Sequence, residues 1–243
     1  MRYAILADIH SNLEAFEAVL AACRQEGVRG YFCLGDTIGY GANPRECLDL
    51  LKELTPRHVA GNHEWGVMGR HPLDAFSDIA QKGILWTRSQ LRDEDAALFA
   101  RMPLVGREPD FHFVHATLNT PDQFIYLKDI SQASETFFLM KENLCFVGHT
   151  HIPRIMVYNN HNHLTHYHPR TVLEVQKNFK YIVNVGSVGQ PRDGSPLASY
   201  GIYDPDLARV EIKRAAYDVA TAQRKILQSG LPDSLAQRLA VGV

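Results

Sequence analysis

Five short segments carry the residues that could do chemistry: Asp8-Ile9-His10, Gly35-Asp36, Gly61-Asn62-His63-Glu64, His115 and Gly148-His149-Thr150-His151. They offer carboxylate and amide oxygens and imidazole nitrogens but no thiolate. Such a set suits a divalent first-row metal (Mn, Fe, Zn or Ni) rather than an iron–sulfur or soft-metal site. In extended chain, residues i and i+2 project to the same side. Asp8 with His10, and His149 with His151, are therefore expected to present paired donors to one cavity. Gly35, Gly61 and Gly148 stand directly before candidate ligands, where a missing Cβ permits a sharp turn and close backbone approach. The donors that these segments supply outnumber the four of a structural zinc site. They suit two ions sharing one carboxylate.

The elements that must position these donors are legible as short apolar runs. Residues 3–7, 31–34, 57–60, 111–114 and 144–147 read as strands, and each runs into one of the five segments. Leu13, Phe16, Val19, Leu20 and Cys23 recur at helical spacing, predicting a helix over 12–26 capped by Ser11 or Asn12 and stopped at Gly27. Pro44 opens a helix to about Leu54. Further helices are expected over 73–101 in two pieces, 131–140, 217–228 and 232–240. Strand, loop and helix in repetition imply a parallel sheet wrapped by helices, and ligands in such sheets gather beyond the carboxyl ends of the strands. After His151 the runs at 154–158, 170–175, 181–185, 199–203 and 208–213 are β-branched and aromatic, predicting antiparallel hairpins. A single domain over residues 1–243, built on two facing sheets, is the expected organisation.

The 243 residues hold 25 Lys+Arg against 27 Asp+Glu, a net of -2. That balance gives no electrostatic reason to expect nucleic acid or an anionic membrane as partner. No apolar run approaches the ~20 residues of a spanning helix, and no secretory leader pattern opens the chain. Cys23, Cys33, Cys47 and Cys145 form no C-x-x-C pair and read as free thiols of a reducing cytoplasm.

The five segments, in this order, resemble those of the calcineurin-like metallophosphoesterase superfamily. The stretches Gly35–Gly41 and Gly186–Arg192 further resemble its small prokaryotic phosphodiesterase branch. The resemblance implies an α/β fold, a four-layer αββα sandwich of two mixed sheets flanked by helices. It implies two divalent ions, Mn²⁺ foremost: one on Asp8, His10, Asp36 and His151, the other on Asp36, Asn62, His115 and His149, with Asp36 bridging. His63 takes the place of the family's catalytic histidine, beside the metals. A hydroxide shared by the ions would attack phosphorus in line, making the chain a phosphodiesterase of nucleotide-type or other small phosphoesters. Alternatives within the resemblance are a Ser/Thr protein phosphatase, a dinucleoside polyphosphate hydrolase and a non-catalytic metal-binding scaffold. Eukaryotic protein phosphatases of the family carry an Asp-Arg pair soon after Gly-Asp, but here the chain reads Thr37-Ile38-Gly39-Tyr40. Arg192 is the alternative phosphate ligand, since guanidinium binds phosphate as a fork; a structural ion pair is its competing role. Tyr40 and Asn43 are expected either to touch substrate or to serve the turn. Glu64, where the small branch usually has aspartate, is expected to orient backbone or His63.

Other features read as structure. His161, His163, His166 and His168 are expected in an exposed polar loop. His58, His71 and His112 are expected to be structural or surface residues, and Trp65 and Trp86 to pack. Specificity is assigned to loops 37–44, 65–75, 117–128 and 187–196. The hairpin-rich C-terminal half offers edge strands through which two copies could pair.

Overall fold

The computed structural model describes residues 1–161, 165–167 and 171–243. The first half alternates as its apolar spacing demands: β1 (Tyr3–Leu6), α1 (Leu13–Gln25), β2 (Gly30–Cys33), α2 (Pro44–Leu54), β3 (Arg57–His58) and α3 (Asn62–Val67). Then come α4 (Asp78–Gln90), α5 (Asp93–Arg101), β4 (Val105–Arg107), β5 (Phe111–Val114), α6 (Ser134–Leu139) and β6 (Leu144–Val147). The remainder is β7 (Arg154–Asn159), β8 (Thr165–Tyr167), β9 (Val172–Glu174), β10 (Phe179–Asn184), β11 (Ala198–Asp204), β12 (Arg209–Ala215), α7 (Val219–Gln228) and α8 (Asp233–Val241).

Two six-stranded mixed sheets result, in the orders β3-β2-β1-β11-β12-β9 and β4-β5-β6-β10-β7-β8. Strands β1 to β3 run parallel, as do β5, β6 and β10. Their carboxyl ends therefore open on the same side within each sheet, and five of these ends lead into the candidate segments. The period-two alternation of β1 explains the layering. Ile5 faces the second sheet in a core with Phe32, Phe111, Phe146 and Val183. Ala4 and Leu6 face the opposite way, onto Phe16, Val19 and Leu20 of α1. On the outer face of the second sheet, Phe137 and Met140 cover Cys145, Val147 and Ile182. These four layers form the αββα sandwich expected from the sequence. Phe32 meets Phe111 and Phe113 edge-on at centroid distances of 5.0 and 5.2 Å, which locks the two inner faces together.

Four details differ from the sequence reading. A short helix, α3, begins at Asn62 itself, where only loop was expected. The three-residue strand β4 was unforeseen; its Gly106 leaves room for the Phe113 ring, 2.0 Å from where a Cβ would stand. Thr165–Tyr167 forms β8 on the edge of the second sheet, pairing with β7, so this part of the histidine tract is strand rather than loop. His161 and His166 are exposed; His163 and His168 lie outside the described residues. Finally, β9 pairs antiparallel with β12 in the first sheet instead of making a hairpin with β10. No helix among the described residues is long and apolar enough to cross a membrane.

Candidate metal centre

The strand ends bring together every residue that the sequence suggested as a metal ligand. Asp8, His10 and His151 form one cluster, and Asp36, His115 and His149 another, with donor atoms within 4.8 Å of one another in each. All six are buried, and Asn62 joins the second cluster through its Oδ1, 3.1 Å from His115 Nε2. Asp36 Oδ2 lies between the clusters, 3.7 Å from His10 Nε2 and 3.3 Å from His115 Nε2.

The backbone that achieves this is not the extended chain inferred from i, i+2 spacing. Asp8 and His10 have φ of 54° and 49°, Asp36 53°, and His149 and His151 67° and 60°. All five are in the left-handed region, which costs a non-glycine residue of order 1 kcal/mol or more and persists only where surrounding structure enforces it. Paired donors converge because the chain turns tightly at each ligand. The turns are held by cross-links: His10 N donates to the Asp36 carbonyl at 2.9 Å and Asp8 N to the Gly35 carbonyl at 3.1 Å. Glu64, completely buried, ties the second and third segments together. Its carboxylate accepts from the backbone N–H of Asp36, Thr37 and Gly61 at 2.8–2.9 Å. It orients backbone, one of the two roles foreseen. Gly61 is required beside it, because a Cβ there would stand 2.1 Å from Asp36 Oδ1.

Five of these residues, Asp8, Asp36, His10, His115 and His151, use one atom for support and turn the other inward. Asp8 Oδ2 accepts from His149 N at 3.0 Å and Asp36 Oδ1 from His63 N at 2.9 Å. The inward oxygen Asp8 Oδ1 has no hydrogen-bond partner although it is fully buried. Nδ1 of His10, His115 and His151 contacts the carbonyls of Ile38, Leu34 and Gln190 at 3.0, 2.7 and 2.6 Å. A carbonyl can only accept, so each Nδ1 carries a proton, and each Nε2 points inward, with a lone pair whenever its imidazole is neutral. Those lone pairs meet other acceptors: His10 Nε2 faces His151 Nε2 at 3.1 Å, and His115 Nε2 faces Asn62 Oδ1 at 3.1 Å. Acceptors crowded on acceptors in a buried site need something positive between them, either protons or metal cations. The donor chemistry fits divalent cations.

Protonation follows the same logic. Burial pulls His10 and His149 well below the usual imidazole range, and pulls His151 down too. Burial also lowers His115, but the Asp36 carboxylate beside it outweighs this and raises it to about 9. Asp36 stays ionised: burial opposes that, yet the imidazoles of His115 and His63 hold it well below the carboxylate range. Burial and the charge of Asp36 push Glu64 up to about 7.

His63, second residue of α3, is buried beside the clusters, its ring 4.8 Å from that of His10 and 4.5 Å from that of Tyr40. Its Nδ1 lacks a partner and sits where the Cβ of a larger residue at position 39 would be, 2.2 Å away. Gly39, with φ of +93°, is thus the cradle for His63. Burial brings the His63 imidazole down to about 4.

Above the clusters lies a cleft of about 610 Å³ bordered by Asn62, His149, Tyr40 and Arg192. Arg192 stands over the Tyr40 ring at 5.7 Å and donates to Gln190 Oε1 at 2.7 Å. Its neighbour Asp193 pairs instead with Arg214, so Arg192 is not committed to the structural ion pair considered for it. Asn43 does not reach the cleft; its Nδ2 donates to Glu46 Oε1 at 2.9 Å, at the start of α2. His71, expected to be structural or surface, lines the cleft edge-on to Phe76 and Phe124, while Trp65 packs against Phe124. Sequence reasoning missed two residues. Tyr126 stacks on His149 at 4.0 Å and 19°, and its only signal was membership of loop 117–128. Arg238 of α8 also enters the cleft and shares Gln190 Oε1 with Arg192. It sits in a helix whose Leu235 and Leu239 announce only packing.

Comparison with known proteins agrees with this geometry. Residues 1–207 match the family model described as the calcineurin-like phosphoesterase superfamily domain. An uncharacterized protein of Methanocaldococcus jannaschii is 40% identical, the match covering 98% of this chain and 97% of that one. The crystal structure of a metallophosphoesterase from Sphaerobacter thermophilus superposes with a TM-score of 0.87 at 38% identity, covering all of both chains. A hypothetical protein from Pyrococcus horikoshii shares the fold, with a TM-score of 0.80 at 18% identity over 100% of this chain and 98% of that one. With strand ends, buried donor clusters and relatives in agreement, the chain belongs to the calcineurin-like phosphoesterase superfamily, and so to the metal-dependent hydrolases of phosphoric esters.

Proposed function

We propose that the chain is a phosphodiesterase of small, nucleotide-type phosphoesters that works with two divalent ions. Asp8, His10, Asp36 and His151 would hold one ion, and Asp36, Asn62, His115 and His149 the other. What supports this reading is Asp36 Oδ2, which lies 3.7 Å from His10 Nε2 of one cluster and 3.3 Å from His115 Nε2 of the other. Bound there, two such cations polarise a water and offset the charge of the phosphoryl oxygens. Mn²⁺ is the ion we put first, although the donor set also accepts Fe, Zn or Ni.

The chain's own residues do the rest. Arg192 and Arg238, at the rim of the cleft, bind the phosphoryl oxygens and set phosphorus over the clusters. Tyr40 lies under Arg192 and keeps its guanidinium turned toward them. The water, having released one proton to solvent, bonds through its oxygen to phosphorus as the bond to the leaving oxygen breaks, and the His63 imidazolium gives that leaving oxygen its proton. In the free site His63 is neutral at pH 7. Burial is what holds its pKa down, and the negative charge of a bound phosphoester beside it acts the other way, so substrate itself favours the protonated form.

Turnover of bis-p-nitrophenyl phosphate, p-nitrophenyl phosphate, cyclic nucleotides, diadenosine tetraphosphate and a phosphopeptide with Mn²⁺ tests the reading. Diesters should be hydrolysed fastest. A phosphopeptide turned over well above any diester contradicts the reading in favour of a protein phosphatase. Two bound ions per chain with no turnover at all contradicts it in favour of a scaffold.

A further inference from the structure

A second cavity, of about 430 Å³, opens beside the cleft, and Tyr126 and Arg192 stand in the walls of both. One wall is anchored to the metal-centre segment: Asn184 Nδ2 donates to the Gly148 carbonyl at 2.7 Å and to Thr150 Oγ1 at 2.9 Å. Ile152 and Met156 supply apolar surface. Its charged lining residues are all cations, Lys128, Arg154 and Arg192.

Each cation is held by neutral groups. Lys128 Nζ lies over the Tyr126 ring at 4.9 Å. Arg154 donates to the Lys128 carbonyl at 2.8 Å and stacks over Tyr167 at 5.0 Å. Arg192 donates to a side-chain amide oxygen. The nearby Asp129 carboxylate feels the charge of Arg154 but is hydrogen-bonded to Ser131 N at 2.8 Å and stands outside the lining. Three cations around a recess that opens onto a phosphoester site, with no acid in its lining, are complementary to an anion beyond the scissile phosphate. The volume falls within the range of small-molecule sites, roughly 300–1,000 Å³.

We infer that this cavity receives a second, phosphate-bearing arm of the substrate, with Lys128 and Arg154 as specificity-determining residues. The inference rests on the phosphodiesterase reading and narrows its substrate class to diesters that carry a further terminal phosphate. Arg192, at the boundary, serves both phosphates.

A matched pair of probes tests it: dithymidine with a hydrolysis-resistant phosphorothioate linkage, with and without a 5′-phosphate, titrated into the Mn²⁺-loaded protein. The phosphorylated form should bind at least tenfold more tightly. Lys128→Glu combined with Arg154→Glu should erase that preference, and Arg154→Lys alone should keep most of it. Equal binding of the two probes, or a preference that survives the double variant, overturns the inference. Lys128 is exposed, so Lys128→Glu alone, with its thermal melt checked, guards against a variant that fails to fold. Hydrolysis of bis-p-nitrophenyl phosphate, measured separately, decides the underlying reading. Its absence overturns phosphodiesterase activity, whereas activity without discrimination between the probes overturns only the second-phosphate cavity.

Discussion

At the scale of single residues, the two carboxylates of the centre divide their oxygens between backbone and site. Asp36 spends Oδ1 on the backbone of His63 and keeps Oδ2 for the centre. Asp36→Asn keeps the shape but removes the shared charge. Loss of groups one shell out from a metal typically costs 10–100-fold. Loss of the shared ligand should exceed that, leaving under about 1% of turnover in an assay at saturating Mn²⁺. His63→Ala should lower kcat by about 10²–10⁴ for esters with poor alcohol leaving groups, the usual worth of a general acid. It should lower p-nitrophenolate release much less, since that anion departs without a proton. A uniform loss on both classes would assign His63 to positioning instead. His115 sets the pH dependence. Its imidazole, raised to about 9 beside Asp36, carries a proton at pH 8 that a metal ion must displace. Metal binding at pH 8 should therefore release close to one proton. Apparent affinity should climb by up to about tenfold per pH unit toward pH 9 and then level off. Calorimetry in buffers of different ionisation enthalpy reads both. The donor-rich segments were legible from residue type and position after apolar runs, and the resemblance to the family singled out seven residues within them. Arg238 and Tyr126 were not, because their roles depend on where a distant helix and an irregular loop fall in space, which no local pattern encodes.

At the scale of elements, the site is a set of tight turns held at strand ends. The strand–helix alternation over residues 3–60 could be read because each run is apolar on both faces or at helical spacing, and Asn12 caps α1 as its type suggests, accepting from Ala15 N at 3.1 Å. The short helix α3 could not, since six residues beginning Asn-His carry no helical period. What builds it is tertiary: Asp36 Oδ1 binds the His63 N–H, and Glu64 binds its own loop and the neighbouring one. Glu64→Gln sets an amide N–H₂ against at least one of three backbone donors. An unsatisfied buried group costs about 1–3 kcal/mol. The variant should lose that much stability by chemical denaturation. It should also weaken metal binding while leaving the ligands themselves intact. Unchanged metal affinity would show that the turn holds without its carboxylate. Likewise, β8 escaped the pattern and β9, inside the expected run 170–175, took an unexpected partner, because such short strands owe their pairing to β7 and β12 rather than to their own sequence.

At the scale of the whole molecule, two sheets and their helices enforce a centre that is locally unfavourable: left-handed backbone at five ligands and facing acceptors in a buried site. Cations should therefore stabilise the fold as well as the reaction. At a free concentration 100 times Kd, one bound ion adds about 2.7 kcal/mol. For a chain of this size that corresponds to a rise in Tm of roughly 5–10 °C. Scanning calorimetry with and without Mn²⁺ should show that rise, and the Asp36→Asn variant should lose most of it. Whether two ions share Asp36 can be read from anomalous diffraction by crystals soaked in Mn²⁺. Two peaks per chain are expected, roughly 3.5–4 Å apart, flanking the Asp36 carboxylate, one beside His10 and His151 and the other beside His115 and His149. A single peak, or two peaks with Asp36 bound to only one, would contradict that sharing.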